Sequence, residues 1–113
     1  MADIEFFRGD SKRLKFQRLD AHGDPILLTP SAMYFTVKRN CDTKEFIFQK
    51  KLSDMTLGED GYWHFTINPS DTETVPYETY SYDLEVTVEG FVNTISSGSL
   101  KIKKESTWKA NKS

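Results

Sequence analysis

From Tyr80 to Val88 the chain alternates without a break: Tyr80, Tyr82, Leu84, Val86 and Val88 are apolar or aromatic, and Ser81, Asp83, Glu85 and Thr87 between them are polar. An extended strand places every second side chain on one face, so this run predicts a half-buried strand and excludes a helix there. Glu89-Gly90 follows as a two-residue hairpin loop. That loop sets Val88 opposite Phe91, Val86 opposite Asn93 and Leu84 opposite Ile95, with Phe91 and Ile95 on the core face. Gly98 reads as a bulge or turn before Leu100-Lys101-Ile102-Lys103 resumes the alternation as a last strand.

The same period recurs upstream. Met33, Phe35 and Val37 alternate with Tyr34, Thr36 and Lys38, and Trp63, Phe65 and Ile67 with Tyr62, His64 and Thr66. Leu14 and Phe16, then Phe46 and Phe48, mark two further strands, and Ile4-Glu5-Phe6 a short opening one. Between them lie His22-Gly23-Asp24-Pro25, Asn40-Cys41-Asp42 and Gly58-Glu59-Asp60-Gly61, composed of residues that favour turns. One helical turn is predicted at Ser70-Asp71-Thr72-Glu73, a Ser-x-x-Glu capping box stopped by Pro76. Seven or eight short strands with turns between them predict an all-β fold, an antiparallel immunoglobulin-like β-sandwich. Tyr80-x-Tyr82 after the helical turn resembles the tyrosine corner of immunoglobulin-like domains, with Tyr82 where antibody domains carry cysteine.

A length of 113 residues allows one core. The domain is expected over residues 1–104, with 105–113 a loose tail, because the alternation ends near Lys104. The expected core is Phe35, Val37, Trp63, Phe65, Ile67, Tyr80, Tyr82, Leu84, Val86, Phe91, Leu100 and Ile102. An aromatic share of 13% is too rich for a disordered segment. The formal charge of −2 gives no strong field for nucleic acid, and no apolar run is long enough for a spanning helix, so neither nucleic acid nor membrane is an expected partner. No secretory signal is visible at the N-terminus, and the single cysteine, Cys41, excludes an intrachain disulfide; both suit synthesis in a cytoplasm.

Little in the chain reads as chemistry. His22 falls in a turn, His64 on the polar face of a strand, and Cys41 in a polar loop. The carboxylates Asp20, Asp24, Asp42, Glu59 and Asp60 sit in turns without calcium-loop spacing, and no phosphate-cradling glycine loop is present. The expectation is therefore no enzyme, with no catalytic, cofactor-binding or metal-binding residue and no cofactor. A hydrolytic or metal-dependent rival requires His22 or His64 beside carboxylates in a pocket. Arg8-Gly9-Asp10 matches an integrin-binding tripeptide, but it also forms an ordinary turn between the first two strands. Two basic stretches, Lys12-Arg13-Lys15-Arg18 and Lys101-Lys103-Lys104-Lys109-Lys112, lack interleaved aromatics and suit the protection of strand edges. Tyr34, Tyr62 and Tyr77 are candidates for a sugar-binding platform.

Several motifs in order carry a resemblance. Arg8-Gly9-Asp10-Ser11 precedes a strand, followed by Gly23-Asp24-Pro25 with Leu28-Thr29 and by Phe35-Thr36-Val37-Lys38. Further on come Asp71-Thr72, Val75-Pro76-Tyr77-Glu78-Thr79-Tyr80-Ser81-Tyr82-Asp83, Gly90-Phe91-Val92-Asn93-Thr94 and Gly98-Ser99-Leu100. In this the chain resembles a family of tailed-phage and prophage structural domains that includes the N-terminal domain of upper baseplate proteins from phages of Gram-positive bacteria. Glu78 departs from the family's glycine. The resemblance implies an immunoglobulin-like building block of the virion, made in the bacterial host cytoplasm, that serves without catalysis in tail, baseplate or neck. Its implied partners are other phage structural proteins and further copies of itself. The alternative is a carbohydrate-binding β-sandwich module contacting the host cell surface.

Overall fold

The computed structural model describes residues 3–26, 29–40 and 45–104. Cys41, Asp42, Leu28 and the expected tail 105–113 lie outside them. Eight strands follow in order: β1 Ile4–Phe7, β2 Lys12–Phe16, β3 Ala32–Lys38, β4 Phe46–Lys51, β5 Thr56–Leu57, β6 Trp63–Ile67, β7 Thr79–Val88 and β8 Phe91–Lys103. A 3-10 turn at Leu52–Asp54 and one short helix, α1 at Pro69–Thr72, are the helical elements among the described residues. The fold is nearly all β.

Strands β1-β8-β7-β3-β4 form one sheet and β2-β6-β5 a second. Their apolar faces meet in a single core. Phe35 of β3 reaches Phe65 of β6 with ring centroids 4.9 Å apart, and Phe35 also packs on Tyr82 of β7 at 5.4 Å. Met33, Val37, Ile67, Tyr80, Leu100 and Ile102 are fully enclosed around them. These are the alternating positions of the sequence, so the two-residue period is what sorts the side chains into the core.

The larger sheet is mixed, which corrects the expectation of an antiparallel one. β1 lies parallel to β8, with Ile4 opposite Leu100 and Phe6 opposite Ile102. Alternation identifies a strand but carries no information on the direction of its neighbour. Two predicted strands are also one. β8 runs unbroken through Gly98, which sits opposite Tyr82. A Cβ at Gly98 would stand 3.2 Å from the Tyr82 ring, so the glycine allows close approach, not a turn.

The irregularity falls earlier. The hairpin register holds at Val88–Phe91 and Val86–Asn93, then shifts between Leu84 and Glu85, so that Leu84 faces Ser96 instead of Ile95. Both loop residues have positive φ, 49° at Glu89 and 88° at Gly90, the conformation a two-residue loop demands. The helical turn also begins earlier than expected. Pro69 occupies its start, and the Asn68 N–H donates to the Asp71 carboxylate at 2.7 Å, so the cap comes from Asn68 and Asp71 in place of Ser70 and Glu73.

Candidate functional site

The most informative site follows from the unequal lengths of the strands. β7 and β8 extend well past the five-residue β6 that covers their inner face. Where that cover stops, the alternation continues into solvent. Phe91 was expected in the core and is instead 76% exposed; Ile95, Val88 and Val92 are exposed as well. The hairpin end is thus an apolar surface. Beside it, the Arg18–Ile26 segment closes a groove of about 500 Å³ lined by Leu19, Ile26, Val86, Val88, Asn93 and Ile95. Leu19 is another exposed apolar side chain, bridged at its backbone to Pro25. The alternation places Phe91 and Ile95 on the core face because local periodicity does not reveal how far the opposite sheet reaches.

The same hairpin has an open edge. β1 pairs with β8 only from Leu100 to Lys103, and the Ser99 N–H is met by the Asp3 carboxylate at 3.4 Å. Among the described residues no strand pairs with the outer side of Phe91–Gly98. From Phe91 through Leu100 the chain carries no charged residue. Other sheet edges do: Lys12, Arg13 and Lys15 on β2, Lys50 and Lys51 on β4. Charged side chains are the usual means of preventing an edge from pairing, and the β8 edge lacks them.

The Arg8-Gly9-Asp10 turn is occupied within the fold. The Arg8 guanidinium lies 4.1 Å over the Tyr77 ring and donates to the Tyr77 hydroxyl at 2.6 Å and to the Val75 carbonyl at 3.4 Å. The Gly9 N–H donates to Thr72 Oγ1 at 3.1 Å, and Thr72 is fully buried. Gly9 takes φ 83°, as its turn requires. This tripeptide ties the first turn to α1. Glu78 keeps a negative φ, accepts the Ile102 N–H at its carbonyl and pairs with Arg39 at 2.8 Å.

His64 lies beside a carboxylate. Its Nε2 is 3.1 Å from Asp60 Oδ1, on the exposed face of the smaller sheet. The hydrogen bond to His64, and after it the Tyr62 N–H, hold the Asp60 carboxyl below the usual carboxylate range. A polar groove nearby is lined by Arg13, Lys50, Asp54, Thr56, His64 and Asn68. Among the described residues no serine or cysteine is hydrogen-bonded to this ring. His22 is exposed in its turn, where its backbone N–H and that of Asp24 both donate to Asp20. Among the described residues no three His, Cys, Asp or Glu side chains gather as metal ligands, and no helix is long and apolar enough to cross a membrane.

The three candidate tyrosines do not share a surface. Tyr34 projects from the outer face of the larger sheet, opposite to buried Met33 and Phe35. Tyr62 precedes β6, with Lys15 Nζ 4.6 Å over its ring, and Tyr77 carries Arg8. Cations therefore cover two of the ring faces a sugar would stack on. The basic stretch also disperses: Lys15 stacks on Tyr62, Arg18 borders the apolar groove, and Lys12 borders a pocket with Asp3 and Glu5.

No family model matches the chain, and no curated protein matches it. Among solved structures it is similar to the endo-beta-1,4-mannanase from Thermotoga petrophila, at 15% identity and a TM-score of 0.57. The similarity covers 91% of this chain and 18% of that one, so the chain spans less than a fifth of the mannanase. At that identity the likeness concerns the fold.

Proposed function

We propose that this chain is a non-enzymatic assembly module, an immunoglobulin-like β-sandwich that serves in the tail, baseplate or neck of a phage or prophage particle and binds neighbouring structural proteins. One observation carries the reading: the hairpin projects beyond the core with Val88, Phe91, Val92 and Ile95 exposed, and the uncharged stretch of β8 from Phe91 to Gly98 has no strand paired to its outer side among the described residues. Exposed apolar patches of this kind mark protein–protein contacts, and open edges accept further strands. Two features support the immunoglobulin-like part. The Tyr80 hydroxyl donates to the Pro76 carbonyl at 2.7 Å, the bond of a tyrosine corner. Arg8-Gly9-Asp10 and Asp71-Thr72, distant motifs of the phage-domain resemblance, meet through the Gly9–Thr72 bond, which gives their joint occurrence a structural reason. Antibody labelling of intact particles tests the proposal. Label at a fixed position on the tail or baseplate is expected, and absence of the protein from purified particles overturns it.

A carbohydrate-binding module of the same architecture is the second reading, favoured by the likeness to part of a protein whose name specifies mannan cleavage. Saturable binding to mannan or to purified wall polysaccharide supports it; the cations over Tyr62 and Tyr77 argue against those rings as the platform.

A further inference from the structure

We propose that the cavity between β2 and the β7-β8-β1 side of the larger sheet binds a small uncharged aromatic molecule of one or two rings, with Ser96 as the partner of a hydrogen-bonding group on it. This site lies between the sheets, apart from the projecting hairpin, and serves a role beyond assembly.

The cavity originates in the side chains that β8 turns inward. Residues directly opposite each other in an antiparallel pair share a face. Ser96 opposite Leu84, Gly98 opposite Tyr82 and Leu100 opposite Tyr80 therefore all lie on the face that meets the smaller sheet, because Leu84, Tyr82 and Tyr80 are buried there. Leu100 fills its place. At Gly98 and Ser96 the alternation supplies two small residues where large apolar ones would close the core. The Tyr82 ring takes up the room over Gly98. Ser96 borders a cavity of about 240 Å³ walled by Leu14, Phe16, Phe35, Phe65, Tyr82 and Leu84. Because β2 is an edge strand of the smaller sheet, the cavity opens beside it, between Lys12 and Lys15 on one side and Asp3 and Glu5 on the other.

Size and lining select the ligand. An apolar cavity of about 150 Å³ takes up benzene, so the volume here suits one ring or two. Phe16, Phe35, Phe65 and Tyr82 present aromatic rings, which favour edge-to-face and offset contacts with another ring. The rim carries both signs, and its charges are engaged: Glu5 pairs with Lys103 at 3.8 Å, Lys15 covers the Tyr62 ring and Asp3 accepts the Ser99 N–H. Such a rim selects neither an acid nor an amine. Inside, the Ser96 Oγ is buried and has no hydrogen-bond partner among the described residues. An unpaired buried hydroxyl is costly, and a χ1 rotation between staggered wells re-aims it toward the cavity that Ser96 borders. Mostly apolar walls with one polar group to fix orientation are the usual make-up of a small-molecule site.

Titration of the full chain with indole, toluene, indole-3-acetate and tryptamine, followed by the amide NMR spectrum, tests this. Indole is expected to bind with a Kd of about 1 mM or tighter, and more tightly than either charged analogue. The amides of Ile4, Leu14 and Ser96 are expected to shift, and those of Val88 and Ile95 at the hairpin groove to stay in place. Ser96→Ala keeps the cavity and removes the hydroxyl; it is expected to weaken indole about tenfold and to leave toluene, which has no hydrogen-bonding group, nearly unchanged. Ser96→Leu fills the space and is expected to abolish binding of both while circular dichroism stays that of a β fold. No saturable shift with indole, shifts centred on the hairpin groove, tighter binding of indole-3-acetate or tryptamine, or an indole affinity that Ser96→Ala leaves unchanged would each overturn the proposal.

Discussion

Tyr80 shows how much one side chain carries. Its ring is enclosed in the core while its hydroxyl bonds the Pro76 carbonyl, which fixes the chain between α1 and β7. Tyr80→Phe keeps the ring and removes the bond, with an expected loss of about 1 kcal/mol in urea unfolding. Burial first, and the nearby Glu78 charge after it, push the Tyr80 hydroxyl above the ordinary tyrosine value. A raised folded-state value means that this contribution is fully present below the unfolded tyrosine pKa, about 10, and is lost as pH rises through the folded one. The alkaline fall in stability is therefore expected to be shallower in Tyr80→Phe. Gly98 is the complementary case: a side chain there meets the Tyr82 ring at 3.2 Å. Gly98→Val is expected to lower stability by about 1–3 kcal/mol, read as a shift of the denaturation midpoint at unchanged slope.

At the scale of elements, α1 and the β7–β8 hairpin are the joints of the fold. Asp71 both accepts the Asn68 N–H and pairs with Lys50 at 2.7 Å, and Lys50 is a buried residue. Asp71→Ala removes the cap and strands a largely enclosed ammonium, with an expected cost of about 2–3 kcal/mol, discounted from a fully buried pair because Asp71 keeps some exposure. Glu89 holds a left-handed conformation that asparagine adopts more readily. Glu89→Asn is expected to stabilise the hairpin by about 0.5 kcal/mol, visible as a raised melting temperature.

The strands and the hairpin loop were legible from local pattern because period-two alternation and turn residues are themselves local causes. The parallel pairing of β1 was not, since its neighbour is set by the route of the chain. Nor was the exposure of Phe91: its position in the alternation is that of a core residue, and only the shortness of β6 leaves it bare. The bulge that moves Ile95 out of register has no turn residue to announce it, and Gly98, which suggested one, serves Tyr82 instead. The His64–Asp60 contact escaped because two residues of a single turn and strand were read separately, although their spacing of four is visible in the sequence.

Taken whole, the molecule divides one pattern of alternation between two roles. Where the two sheets overlap, apolar faces bury each other around Phe35, Phe65 and Tyr82. Where the hairpin outruns its cover, the same pattern leaves apolar side chains exposed and, among the described residues, a strand edge unpaired, and the proposed assembly role is the covering of that surface. Amide hydrogen exchange, resolved by residue, in the dilute chain and in the assembled state tests this claim most directly. The account predicts that the Val92 and Thr94 amides exchange rapidly when dilute and become protected on assembly, while those of Val37 and Leu84 are protected in both. Hairpin amides already protected in the dilute monomer, or still unprotected after assembly, would contradict it.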